Sequence, residues 1–231
     1  MSVTRVSTWA HSASGNNIEL FHSGGVTLME LKNPILFIGG VHGDEPEGVR
    51  LADDTLDWLK SRQQTNECPD WILIPCLNPD GYKINSRVNG HGVDLNRNFP
   101  CKTWSSDYRA ERYFPGPRPS SEPETQALVE LIEKLQPSII VHCHSWEPCI
   151  VYSGNTFPNF VEDLRLASGY EAKDDIGYQT PGSLGEYGWN THQITVICIE
   201  EKEGNPLDCV WTRFRDPIQK LFSGVYYKNN E

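Results

Sequence analysis

The sequence predicts a single α/β domain that carries a long functional segment, and three observations give the class, the domain count and the segment in turn. Short apolar runs rich in Ile, Leu and Val alternate with longer stretches whose apolar residues recur at helical spacing, the pattern of strands laid between helices. The chain has 231 residues, 38% of them hydrophobic, which is enough to bury one sizeable core around a sheet and cramped for two. A stretch from Asn78 to Pro119, rich in Asn, Gly, Pro and Arg, shows little periodicity, and an irregular segment of that length inside a compact domain is usually functional. One domain over residues 1–231 is expected, with no internal repeat, low-complexity tract or linker.

Taken in chain order, strands are predicted over Val26–Leu31, Ile35–Gly39, Trp71–Pro75, Ile139–His142, Ile150–Tyr152 and Ile194–Ile199. A helix over Glu47–Arg62 rests on the spacing of Val49, Ala52, Leu56 and Leu59. A second over Ser121–Gln136 rests on Ala127, Leu128, Leu131, Ile132 and Leu135. The second has Ser121 and Glu124 at capping-box spacing, Pro123 in its first turn and Pro137 beyond its end. Two further helices are expected, over Asn159–Ser168 and Cys209–Phe222.

Charge and composition exclude several classes of function. A formal net charge of -11 disfavours nucleic acid and anionic membranes as partners, because phosphate backbones reward clustered Lys and Arg. The N-terminal stretch has no apolar core of a signal peptide, and no run approaches the length of a membrane span, so a cytoplasmic protein is expected. The seven cysteines include no CxxC pair and read as reduced, small apolar residues.

The chemistry begins at GVHGDEPE, where His42 and Glu45 stand three apart just after the apolar run Ile35–Ile38, at a strand-to-helix handover. A second apolar run, Ile139–Val141, ends in His142, Cys143 and His144, which offers a third ligand from another strand end. Two imidazoles and one carboxylate with an open fourth position describe catalytic zinc. His142 and His144 fall on the same side of a strand, so periodicity alone does not separate them. Glu200 and Glu201 close the late strand and face opposite sides of the sheet, with Glu200 sharing a face with Ile194, Val196 and Cys198. Glu201 reads as a solvated charge. In the irregular segment lie NPDG (Asn78–Gly81), Arg87 and GVDLNRNFP (Gly92–Pro100), followed by the turn-rich FPGPRPSSEPET.

With these motifs in this order, from His42 to Glu200, the chain resembles the M14-type zinc carboxypeptidases. The resemblance implies one domain with a central mixed, twisted β-sheet flanked by helices on both faces. It implies one Zn2+ held by His42, Glu45 and a later histidine. His144, followed by the small polar Ser145, looks like the family's third ligand and Ser145 like a substrate contact. Glu200 falls where the family's general base is expected, and Arg87 resembles the arginine that meets the oxyanion. Asn96 and Arg97 match the pair that grips the free carboxylate of a small peptide, which implies an exopeptidase. Asp94 and Asn98 read as braces of their loop. GYQTPGSLGEY (Gly177–Tyr187) is similar to the family's mobile-tyrosine region, although Tyr178 is one residue out of step counted from Ser183. Its TPGSLG wording looks closer to the bacterial branch that includes the murein tripeptide amidases, which cleave γ-D-glutamyl-meso-diaminopimelate. The competing readings are a deacylase of the succinylglutamate desuccinylase and aspartoacylase type, with similar HxxE and DLNR motifs, and a catalytically dead binding homologue.

Overall fold

The computed structural model describes residues 3–62 and 68–227, so the ends of the expected 1–231 domain lie outside it. Eight strands form one mixed sheet: β1 (Val3–His11), β2 (Asn17–Ser23), β3 (Ile35–Ile38), β4 (Trp71–Ile74), β5 (Ile139–Trp146), β6 (Cys149–Ser153), β7 (Glu171–Lys173) and β8 (Thr195–Lys202). Their spatial order is β1-β2-β4-β3-β5-β8-β6-β7. The four central strands β4, β3, β5 and β8 run parallel, while β2 and β6 pair antiparallel to β4 and β8.

Side-chain alternation divides the core between the two faces of the sheet. Ile35, Phe37, Ile139, Val141 and Ile197 pack on one side with helices α1 (Pro46–Ser61), α4 (Pro158–Ser168) and α6 (Leu207–Phe222). Leu36, Ile38, Ile140 and Val196 pack on the other with α3 (Pro123–Leu135) and the short α5 (Leu184–Glu186). His142, His144, Cys198 and Glu200 continue this second row by the same two-residue period. The register sets His142 beside Cys198 and His144 beside Glu200 on neighbouring strands. Strand order therefore builds half of the site before any loop is considered.

The sequence runs from β3 to its neighbour β4 on one side, then through α3 to β5 on the other. That reversal opens a crevice at the carboxyl ends of β3 and β5, where ligands of open α/β sheets collect. His42 follows β3 and His144 lies near the carboxyl end of β5. The turn between β3 and α1 is held tight by glycine: a Cβ on Gly43 would lie 2.0 Å from the carbonyl carbon of Gly81 and 2.1 Å from the amide nitrogen of Tyr82. Gly81 belongs to α2 (Pro79–Ile84), so the HGDE turn and the NPDG helix touch backbone to backbone. Replacing Gly43 by Ala is expected to destabilise the fold by about 1–3 kcal/mol through overpacking. Urea unfolding is the check, with a lower midpoint and an unchanged slope expected.

Several expectations are corrected by the structure. Val26–Leu31 is not a strand: Leu28–Glu30 forms a 3-10 turn, because Glu30 reaches back to the amide and hydroxyl of Thr27 in a local capping box. The capping box expected at Ser121 and Glu124 is absent. Helix α3 starts after Glu122, Ser121 Oγ bonds Glu122, and Glu124 accepts from the amide of Ala13 and the side chain of Asn89. The irregular segment contains α2, and strands β1, β2 and β7 were not expected at all. Glu201 is buried rather than solvated, at 2% exposure, and is bonded by Tyr170, Asn205 and Arg213. No helix among the described residues is long and apolar enough to cross a membrane.

Candidate metal centre and active site

Every site residue singled out from the sequence lines one cavity of about 290 Å3 at the carboxyl ends of β3, β5 and β8. Within it His42 and His144 approach Nδ1 to Nδ1 at 2.9 Å, and Glu45 meets both rings, at 2.8 Å from His42 Nδ1 and 2.7 Å from His144 Nδ1. All three residues are buried. The outer nitrogen of each ring is also engaged: His42 Nε2 lies 3.0 Å from Asp94 Oδ1 and His144 Nε2 lies 2.9 Å from His142 Nδ1. With these outer nitrogens donating, two imidazole lone pairs and a carboxylate point at one another. That donor set is repulsive alone and fits a divalent cation.

A second group, His142, His144 and Cys198, also brings its donor atoms within 4.8 Å of one another. There His142 Nδ1 is occupied as the acceptor for His144, so its ligand lone pairs do not converge in the same way. Burial and the neighbouring histidines hold His142 well below the usual imidazole range, which keeps it a neutral acceptor. The set containing Glu45 is the one that faces the arginines.

Asp94 organises those arginines. It is fully buried, caps the 3-10 turn Leu95–Arg97 through the amide of Asn96, and accepts from Arg87 Nε at 2.9 Å while holding His42. Burial opposes its charge, but Arg87 and His42 beside it outweigh that and keep its carboxyl well below the ordinary range. Arg87 also donates from Nη1 to Glu45 at 3.2 Å; neither bond uses Nη2. Burial likewise works against the guanidinium, and Asp94 and Glu45 more than compensate. The backbone of Arg87 is held by NPDG, since Asn78 caps α2 with its oxygen and donates its amide to the Arg87 carbonyl. Asp80 of the same motif ties down the β1–β2 turn through Ser12, Ser14 and Asn16. Asp94 thus does more than brace its loop, and its place two residues before the Asn-Arg pair, as the acidic residue of DLNR, is the signal for that in the sequence.

Arg97 is only 7% exposed, and its guanidinium donates to the carbonyl of Asn96. Among the described residues no carboxylate lies within 4.0 Å of it. Asn96 accepts the amide of Leu184, which fixes the TPGSLG loop against the pair. Gly182 of that loop sits at φ +76°, where a Cβ would lie 2.1 Å from the Arg97 carbonyl oxygen. Asn98 braces the next turn through Pro115, Arg118, Ser121 and Glu122.

Glu200 is 5% exposed and accepts from Cys198 at 3.3 Å. Burial, followed by the nearby charge of Glu45, pushes its carboxyl up to about 8. Tyr178 packs edge-on to Trp146 at 5.7 Å and lines both this cavity and a larger one of about 610 Å3. Glu200 and Asn96 also stand at that junction. Ser145 forms part of the wall, and its hydroxyl donates to buried Glu47 at 2.7 Å.

Residues 1–202 match the sequence profile of the family described as zinc carboxypeptidase. The chain belongs to the zinc carboxypeptidase family. It is 34% identical over 173 residues to murein peptide amidase A of Escherichia coli K12, covering 69% of each protein. The corresponding protein of Vibrio campbellii is 31% identical over 176 residues, covering 71% of this chain and 68% of that one. Among solved structures, the murein-tripeptide amidase of Escherichia coli O157 superposes with a TM-score of 0.77 at 26% identity, over 96% of this chain and 92% of that one. Carboxypeptidase A of Helicoverpa armigera shares the fold, with a TM-score of 0.79 at 17% identity over 99% of this chain and 69% of that one. As a zinc carboxypeptidase the chain is a hydrolase acting on peptides, which favours the peptidase over the deacylase reading.

Proposed function

We propose that this chain is a zinc-dependent exopeptidase that removes the C-terminal residue of a small peptide. We further propose that its substrate is of the murein tripeptide class, cut between γ-D-glutamate and meso-diaminopimelate. The observation that carries the exopeptidase reading is Arg97. A buried guanidinium without a carboxylate partner among the described residues is a binding site for one, and a peptide's free terminal carboxylate fits its planar fork. The relatives' names support the substrate class. So does the larger cavity, where Asp174, Asp175 and Glu186 on the wall suit the distal ammonium of a diaminopimelate side chain.

His42, Glu45 and His144 would hold one zinc ion, which when bound supplies Lewis acidity to water and to the scissile carbonyl. Asp94 and His142 orient the two imidazoles from behind. Glu200 takes a proton from the attacking water and returns it to the leaving amine. Arg87, fixed by Asp94 and Glu45, stands ready for the oxyanion with its unused Nη2. Asn96 and Arg97 position the terminal carboxylate, with Tyr178 closing over the junction of the two cavities.

The acid limb of kcat/KM follows Glu200. Its raised pKa favours the proton-bound form, so activity is lost as pH falls through it. The limb is expected between the ordinary value of 4.5 and about 8, because a bound cation pulls the carboxyl back down. A pH profile of kcat/KM checks this.

Mass-spectrometric assay of the zinc-loaded protein on murein tripeptide, ordinary peptides and N-acyl amino acids tests the reading. Release of diaminopimelate supports it, release of only ordinary C-terminal residues moves the substrate class, and release of acetate or succinate overturns the exopeptidase assignment.

A further inference from the structure

The smaller cavity carries more positive charge than the proposed reaction uses. Three guanidinium groups converge on the ring of Tyr113, with Arg109 Cζ at 4.5 Å from its centroid, Arg87 at 5.2 Å and Arg112 at 5.6 Å. Arg87 is matched by Asp94 and Glu45, and Arg112 is matched by Asp44 at 3.2 Å. Arg109 has no carboxylate within 4.0 Å among the described residues. It is instead held between two rings, since its Cζ also lies 5.3 Å from the centroid of Tyr178. Like charges gathered at one cavity repel each other, and in a chain of net charge -11 acidic partners are plentiful. An exposed arginine left without one, its side chain braced by two aromatic faces, is already ordered for an anion supplied from outside.

Its position indicates which part of the substrate brings that anion. Arg109 shares the Tyr113 ring with Arg87, the group proposed to meet the reacting carbonyl, and it lines the smaller cavity but not the larger one. In the reading above the larger cavity takes only the distal end of the leaving residue, and Arg97 in the smaller cavity takes its terminal carboxylate, so the further cation beside Arg87 is left for the acyl portion.

We propose that Arg109, clamped between Tyr113 and Tyr178, binds a second carboxylate carried by the acyl residue next to the scissile bond. The substrate class is thereby a peptide whose acyl residue carries a free carboxylate in addition to those of the leaving residue. A glutamyl residue linked through its side chain is one such acyl group, because its α-carboxylate stays free beside the bond. This inference rests on the exopeptidase reading.

The test compares two acyl groups, γ-D-glutamyl and its α-carboxamide, each joined to diaminopimelate and to lysine, using the zinc-loaded wild-type enzyme, Arg109→Gln and the surface control Arg165→Gln. In the wild type and the control, kcat/KM is expected to favour the free carboxylate by about 10- to 100-fold, the value of a charge-assisted hydrogen bond. In Arg109→Gln that ratio is expected to fall to about one, whereas a merely structural role would lower both substrates together and leave the ratio in place. Calorimetric binding of L-Ala-γ-D-Glu and its α-carboxamide to the same three proteins gives the ratio without turnover. Hydrolysis of both acyl forms at equal rates in the wild type, or an unchanged ratio in Arg109→Gln, overturns the proposal while leaving the exopeptidase standing. No release from any of the four substrates overturns the exopeptidase reading, and equal binding of the two ligands to wild type then overturns this inference separately.

Discussion

Glu200→Gln protein is expected to bind zinc at wild-type stoichiometry and to turn substrate over about 100- to 10,000-fold more slowly. The exchange keeps the size of the side chain and removes its capacity to take a proton. Glu200 shares no hydrogen bond with His42, Glu45 or His144, so the donor set stays intact. Neutralising a buried carboxylate that burial already pushes toward its protonated form should also cost the fold little. Metal analysis together with single-turnover kinetics separates the two quantities. Full activity in this variant would remove Glu200 from the mechanism; Glu201 is a poor substitute, being committed to Tyr170, Asn205 and Arg213 on the opposite face of the sheet.

The paired histidine variants have the second largest expected effect. His144→Ala removes one of two imidazole ligands and leaves His42 and Glu45 as a bidentate remnant, so zinc is expected to be lost on dialysis and activity with it. His142→Ala removes only the acceptor behind His144 and is expected to retain zinc with affinity lowered about 10- to 100-fold. Zinc binding should also separate the two in heat stability, since a metal bound only by the folded state raises the midpoint of unfolding. Zinc raising it in His144→Ala but not in His142→Ala would reverse the assignment of the third ligand.

The parts of the site legible in the sequence are those set by short-range geometry. His42 and Glu45 stand at a strand-to-helix handover, and His144 and Glu200 lie near the carboxyl ends of strands whose apolar runs announce them. The two-residue period then puts them on one face. Distant polar pairings were not legible. Asp94 reaches His42 across 52 positions, and the contact between His142 Nδ1 and the outer nitrogen of His144 joins two residues whose roles periodicity does not separate. The edge strand β1 was missed because VTRVSTWAH is mostly half-exposed and mixes polar with apolar residues, which blurs the alternation a buried face imposes. Val26–Leu31 failed for the opposite reason: its apolar residues suggested a strand, but the Thr27 and Glu30 side chains close a local turn. Ser121 and Glu124 had the spacing of a cap while each found a partner elsewhere. Glu201 looked like surface because acidic residues usually are; only the packing of α6, which brings Arg213 to it, makes it an interior charge.

One zinc ion, held by His42, Glu45 and His144, is expected to make this chain an exopeptidase. Titrating zinc into the metal-stripped protein while following release of the C-terminal residue tests it most directly. Activity is expected to start near zero and rise linearly to a break at one equivalent per chain. Undiminished hydrolysis without metal, or a break only at two equivalents with the His142, His144 and Cys198 group filled as well, would contradict it.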